Sequence, residues 1–330
     1  LRNLREIAPT IYFNVPKGFD EIAAAMEADE KLRASLYSRV QAFMFAGAGL
    51  SQAVWDRLDR LAEQTVNERI PIFTGLGMTE TSPSCTFAVR AASVRSGHIG
   101  LPCPGVEAKL VPDGDGPHAK HEIRFRGPNV MPGYWREALL SAEAFDEEGF
   151  YRTGDAVRWV DDADPQLGLI FDGRIAEDFK LDTGTFVSVG PMRARITQLG
   201  DPCVQDAVIT GINRDEVGAL IVPRVDAVRR LAGLAADAPL PEVLHHASVR
   251  GFFQALADRL WHESTGSANR VARLHVLAEP PSIDKGEITD KGSINQRAVL
   301  THRAALVEAL YEGDAADPFV ILPARTQTRA

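Results

Sequence analysis

The chain has 330 residues, 45% of them apolar and 25% charged, with a formal net charge of -9. This is ordinary globular composition at a length that exceeds the usual single core, so about two domains are expected. The acidic balance, with no basic stripe to offset it, argues against nucleic acid as a partner. No apolar run approaches the ~18 residues of a membrane span and no export pattern opens the chain, so a cytoplasmic protein without membrane contact is the default expectation. Cys85, Cys103 and Cys203 are too scattered for a disulfide framework or a zinc site and are expected as small buried hydrophobes.

In chain order, Phe19 to Arg39 is rich in Ala, Glu and Leu and predicts a helix. Ala42 to Gly49 is a short apolar run closed by glycines, which suits a buried parallel strand and its exit turn. Ser51 is a plausible N-cap for a helix in which Val54, Leu58, Leu61 and Thr65 recur at helical spacing. A strand at Ile70 to Phe73 completes a βαβ unit, whose ligands normally sit beyond the carboxyl ends of its strands. From Gly100 the texture changes to short alternating strands, Val106 to Val111 and Glu122 to Arg126, which predict an antiparallel sheet or small barrel. Leu169 to Phe171 is another strand. Val204 to Ile212 and Val217 to Val222 flank a hairpin-like connection. A helix from about Val249 to Glu263, a strand from Arg273 to Leu277 and a helix from about Asn295 to Tyr311 complete an α+β unit. The boundary is expected near Arg174, giving domains 1–173 and 174–330.

Two segments carry chemistry. Gly149 to Asp155, followed 17 residues later by Asp172-Gly173-Arg174, offers a carboxylate and a guanidinium, each on a turn. A carboxylate can accept from both vicinal hydroxyls of a ribose, and an arginine adds a planar donor fork. Thr153-Gly154-Asp155 also reads as an Asx-type turn at a strand end. Thr74 to Thr81 follows directly on a strand: its small residues, Gly77 among them, let backbone approach a phosphate, Thr79 offers a hydroxyl, and Glu80 is a hard oxygen ligand suited to magnesium on a polyphosphate. Such a Gly-rich turn also caps helices. The histidines, His245, His246, His118 and His121, lack metal-ligand spacing.

Order and spacing tie these segments together. Leu76 to Glu80, Gly100 to Gly105, Arg126 to Trp135, Tyr151 to Asp155 and Gly173 to Lys180 occur in sequence, and the chain resembles the adenylate-forming family of acyl- and aryl-CoA synthetases, whose motifs run in that order. Ile175 to Val189, with Phe179-Lys180-Leu181 and Gly184 to Gly190, looks most like the feruloyl-CoA synthase branch. The resemblance implies the C-terminal part of a large adenylation domain, an α/β layer plus a small antiparallel barrel-like subdomain, followed by a small mobile α+β domain. It implies ATP, Mg2+ and coenzyme A as cosubstrates or cofactors and a small aromatic carboxylate as substrate. Thr79, with Gly77 and Met78 beside it, would contact ATP phosphates, Glu80 would bind Mg2+, Asp155 would hold the ribose hydroxyls and Arg174 the ribose or phosphate. Gly47, Ala48 and Gly49 match the turn that lies against adenine. Glu177 or its neighbour Asp178 would be the hinge carboxylate, and Gly184 to Val187 would line the pantetheine channel. The family often forms homodimers, although no interface signature is visible here.

Departures qualify the resemblance. Leu76 stands where the family has Tyr. At the position of the family's catalytic lysine, which neutralises charge at the α-phosphate, direct counting finds Ser293; Lys291 is favoured as the catalytic residue, with Lys285 the alternative. The family's Ser/Thr/Gly-rich phosphate loop is not found in residues 1 to 75. The expectation is therefore about the C-terminal half of a full-length enzyme, either a fragment or an inactive remnant, and the start at Leu1 agrees with a piece of a longer polypeptide.

Overall fold

The computed structural model describes residues 1–88, 94–114, 119–289, 292–312 and 319–324. They form two compact units, Leu1–Ala176 and Glu177–Ala330. Among the described residues no helix is long and apolar enough to cross a membrane.

The first unit opens with a three-stranded parallel layer. Strand β1 (Ile11–Asn14) leads into helices α1 (Pro16–Ala28) and α2 (Glu30–Tyr37), then β2 (Ala42–Phe45), α3 (Gln52–Val66) and β3 (Ile72–Phe73), in the order β1-β2-β3. The single helix expected over 19–39 is thus two. Asp29 leaves helical geometry at φ -122°, ψ 92°, and its carboxylate accepts from Leu32 N to cap α2, a competition between side chain and backbone that composition alone does not reveal. Ser51 does cap α3 by accepting from Val54 N. Helices and sheet share one core, in which Phe43 meets Tyr12, Phe19 and Tyr37 edge-on at 5.6–6.5 Å. Ile11 and Phe13, on alternate positions of β1, are exposed.

The antiparallel part follows: β4 (Thr86–Phe87), β5 (His98–Pro102), β6 (Glu107–Asp113), β7 (Lys120–Arg126), a short helix α4 (Ala138–Glu143), β8 (Tyr151–Trp159) and β9 (Leu169–Arg174). Its strand order is β4-β5-β9-β8-β7-β6, a curled half-barrel. Cys85, Ile99, Ile123, Phe125, Val157 and Leu169 fill the core. Cys85 and Cys203 are buried free thiols and Cys103 is partly exposed.

In the second unit a hairpin of β10 (Phe179–Lys180) and β11 (Phe186–Val187) precedes α5 (Val189–Leu199). A four-stranded sheet then pairs β12 (Val204–Thr210) antiparallel with β13 (Val217–Pro223). After α6 (Val225–Ala232), α7 (Leu240–His245) and α8 (Ala247–His262), β14 (Val271–Val276) returns parallel to β13, the crossover such pairing requires. Helices α9 (Gln296–His302) and α10 (Ala304–Glu312) and strand β15 (Val320–Ile321) finish it. Alternation sorts β13 between two cores. Val217, Ala219 and Ile221 join one with α5 to α8, while Leu220 and Val222 join another with α9 and α10. That explains the unbroken apolar run of 217–222: a strand covered on both faces has no polar side to show. The helix expected over 295–311 is interrupted at Arg303, which leaves helical geometry at φ -109°, ψ 28°. The expected class, α/β followed by α+β, is borne out.

Candidate active site

Asp155 and Arg174 meet. Strands β8 and β9 place them opposite one another, with Arg174 Nε 3.5 Å from Asp155 Oδ1. The carboxylate side chain is 4% exposed and the guanidinium side chain 64%, so a buried anion is faced by a cation from the solvent side. The expected turn at Thr153-Gly154-Asp155 is instead an irregular stretch inside β8. Gly154 takes φ +67° among the extra β8 residues that face the register shift between Glu122 and Arg124 of β7, and the pairing with β9 shifts again between Asp155 and Val157. Three bonds hold it: Thr153 Oγ1 donates to Ile123 O at 2.6 Å, Asp155 N donates to Thr153 Oγ1 at 3.0 Å, and Gly154 N donates to Glu122 Oε1 at 3.0 Å. Lys120 Nζ donates to Asp172 O at 2.6 Å and so secures the turn before Arg174.

The Thr74 to Glu80 loop leaves the carboxyl end of β3. Its glycines are demanded by the protein's own packing, because a Cβ at Gly75 would lie 2.0 Å from Thr86 O and one at Gly77 1.5 Å from Pro83 O. Leu76 packs against the half-barrel core. Thr79 is exposed and Glu80 half-buried in a single turn, Thr79–Thr81, closed by hydrogen bonds between Thr81 Oγ1 and the Met78 backbone. Gly77→Ala should therefore push this turn aside and lower stability by about 1–3 kcal/mol, the usual cost of overpacking. A melting temperature within one degree of the parent would contradict that.

Glu80 is connected to the Asp155 region. Met131 N donates to Glu80 O at 2.8 Å and Tyr134 Oη to Glu80 Oε1 at 3.1 Å. Burial above all, with Tyr134 and the charges of Glu80 and Asp155 adding to it, pushes the Tyr151 phenol well above the ordinary range. Gly47 (φ +91°), Ala48 and Gly49 follow the carboxyl end of β2. Because β2 and β3 are adjacent and parallel, this turn and the Thr74 to Glu80 loop leave the same edge of the layer. The first-unit candidates, Gly47 to Gly49, Gly77 to Glu80, Asp155 and Arg174, thus sit on two connected strand edges.

The other candidates belong to the second unit. Gly184 takes φ +80° in the β10–β11 hairpin, where Gly184 N donates to Leu181 O at 2.8 Å. Asp178 Oδ1 accepts from Val189 N at 2.9 Å, and Glu177 lies 3.9 Å from Arg193, so both hinge candidates are tied to α5. Lys285 is exposed. Lys291 lies outside the described residues. Among the described residues no group of three or more His, Cys, Asp and Glu is arranged to hold a metal ion. A single carboxylate at Glu80 fits Mg2+ nonetheless, since that ion takes one or two carboxylates and completes its shell with water and substrate phosphates. Tyr134, Glu122 and Lys120 were not legible as site residues in the sequence. For Glu122 and Lys120 the period-2 pattern of β7 was the one available signal; for Tyr134 there was only its place in a Gly-Tyr-Trp turn.

The first unit joins a parallel layer to a curled antiparallel half-barrel and carries a carboxylate–guanidinium pair and a Thr-Glu turn. Residues 1–135 match the family model described as AMP-binding enzyme. Two curated relatives are the probable acyl-activating enzyme 16 of Arabidopsis thaliana, 25% identical over 67% of this chain, and the probable 4-coumarate–CoA ligase 1 of Dictyostelium discoideum, 32% identical over 55% of it. The matched segment is 31% of each relative. Among solved structures, the adenylation domain of a carboxylate reductase from Mycobacterium chelonae superposes with a TM-score of 0.66 at 24% identity, covering 94% of this chain and 48% of that one. The chain therefore spans about half, or less, of the proteins it resembles.

Proposed function

We propose that these residues belong to an AMP-forming carboxylate–CoA ligase: a carboxylate attacks the α-phosphate of ATP to give an acyl adenylate and pyrophosphate, and the thiol of coenzyme A then displaces AMP. The observation that carries the reading is the buried Asp155 carboxylate opposite Arg174 on β8 and β9, in the same unit as the Glu80 carboxylate held by Tyr134. A ribose would be gripped by Asp155 through its two hydroxyls, Arg174 would face the ribose or phosphate from solvent, and Thr79 would donate to phosphate oxygens. Glu80 would hold Mg2+, which when bound offsets the charge of the polyphosphate. Positioning and charge neutralisation, not a protein nucleophile, do the work in this scheme. Gly184 and its hairpin would meet coenzyme A. The acid we propose is a hydroxycinnamate such as ferulate, a choice supported by the resemblance of residues 175–189 and by the 4-coumarate–CoA ligase relative.

ATP–pyrophosphate exchange with ferulate, benzoate and octanoate tests both levels. Ferulate should be preferred; octanoate turned over equally well would sink the hydroxycinnamate choice. AMP binding without any exchange in this chain would favour a nucleotide-binding module. We further propose Lys291 as the lysine beside the α-phosphate. Lys291→Ala should cut adenylation by about 10²–10³-fold, the scale of one lost transition-state donor, while thioesterification of supplied acyl adenylate persists. Retained adenylation would assign the role elsewhere.

A further inference from the structure

We propose that Tyr134 is a positioning residue that fixes the Glu80 carboxylate for a phosphate-bound divalent cation, an inference that rests on the ligase reading above. Its hydroxyl donates to Glu80 Oε1 at 3.1 Å, and among the described residues Oε2 takes no hydrogen bond. The backbone of the same turn grips the other end of the glutamate, with Met131 N on Glu80 O at 2.8 Å. Glu80 is thereby held at its main chain and at one carboxylate oxygen by one loop, leaving the second oxygen for a ligand.

Tyr134 is itself anchored at its backbone. Its N–H donates to Ser141 Oγ at 2.8 Å, and Ser141 Oγ donates back toward Tyr134 O at 3.3 Å and Glu137 O at 2.7 Å. The Tyr134 O–H is thereby aimed at Glu80. A glutamate without such support samples many rotamers, and freezing them is a cost that cation binding would otherwise bear.

The test is Tyr134→Phe, which keeps the ring and removes the hydroxyl. Two readouts are taken on the 330-residue chain: hydrogen exchange of the amides of residues 79–82, and the affinities for ATP with Mg2+ and for ATP in excess EDTA. The variant should exchange faster at 79–82 and lose about 10-fold in the Mg2+-dependent affinity, the scale of one hydrogen bond to a charged group. Affinity in EDTA should be unchanged, and the loss should vanish in a Glu80→Gln background. Unchanged exchange overturns the proposal. So does an affinity loss that is equal with and without Mg2+ or that persists beside Glu80→Gln, since either marks general loosening. If the parent chain binds no ATP while exchange at 79–82 rises in the variant, the hold on Glu80 stands and the ligase reading falls.

Discussion

Replacing Asp155 with Asn is expected to weaken AMP binding about 10- to 100-fold, because a charge-assisted hydrogen bond is worth ~1.5–3 kcal/mol and each 1.4 kcal/mol is a factor of ten. The two residues have the same shape, so the irregular stretch around Gly154 should survive. What changes is the acceptor. A carboxylate can accept from both hydroxyls of a ribose, whereas an amide offers one oxygen and turns two donors toward the second hydroxyl. The fold should tolerate the loss because Arg174, the cation opposite, is already 64% exposed at its side chain and can be solvated. Binding and stability are therefore expected to separate, with the melting temperature within a few degrees of the parent. Titration calorimetry with AMP and with 2′-deoxy-AMP reads the effect: if the carboxylate grips the ribose, the penalty of Asp155→Asn shrinks for the deoxy nucleotide. An equal penalty for both nucleotides, or none for AMP, would remove Asp155 from the ribose role. Arg174→Gln should cost less than Asp155→Asn, since an exposed cation is screened.

The pairing on which that result depends was only half legible. Asp155 and Arg174 could be named as candidates because their motifs lie 17 residues apart in a familiar order, but that they are cross-strand partners follows from β8 and β9, and β8 was hidden. Its sequence, Tyr151 to Trp159, contains Gly154, a residue that reads as a turn; in the fold it makes an irregularity within a strand. The hairpin of β12 and β13 was plain, because two apolar runs flank the polar residues 213–216 and each run is long enough to specify its register. The breaks at Asp29 and Arg303 were not. Both residues are acceptable in helix interiors on average, and each is drawn out of the helix by a side-chain partner elsewhere: Arg5 and the Leu32 N–H for Asp29, Glu287 for Arg303. Gly75 and Gly77 illustrate the opposite error. They invite a phosphate-binding reading, yet the Thr86 and Pro83 carbonyls already require them to be glycine. Their presence argues for the shape of the loop, while Thr79 and Glu80, which packing does not demand, carry the argument for a ligand.

Arg303→Ala is expected to destabilise the second unit strongly. The guanidinium donates from Nε to Glu287 Oε1 at 2.9 Å and from Nη2 to Glu287 Oε2 at 2.8 Å, and it also caps Glu279 O and Pro280 O at 2.8 and 3.0 Å. Ser282 N adds a bond to Oε2 at 2.8 Å. The Arg303 bonds hold the carboxyl down at about 2 against burial, which pushes it the other way. With the arginine gone, the Glu287 side chain, 1% exposed, is a buried charge with little compensation, a situation that costs about 3–5 kcal/mol. The pH dependence then has a definite sign. In the parent the folded carboxyl titrates below its ordinary value, so the pair's contribution is complete above about pH 4.5 and is lost as pH falls from there toward 2. In the variant burial dominates and raises the carboxyl, so ionisation now opposes folding and the variant gains relative to the parent as the medium becomes acidic. The two proteins should differ most near neutrality and converge as the pH falls from about 4.5 toward 2. Hydrogen exchange of the buried β13 amides reads this in the second unit alone, which matters because a chain of two units need not unfold in one step. A gap that stays constant from pH 7 to 3 would mean that packing of the arginine stem, and not its pairing with Glu287, holds α9 and α10 in place. The same pair closes the base of the segment 288–294: Asn295 N donates to Glu287 O at 2.9 Å, and Ile288 bridges Ile294. Loosening it should therefore also be felt in any reaction that relies on a lysine from that segment.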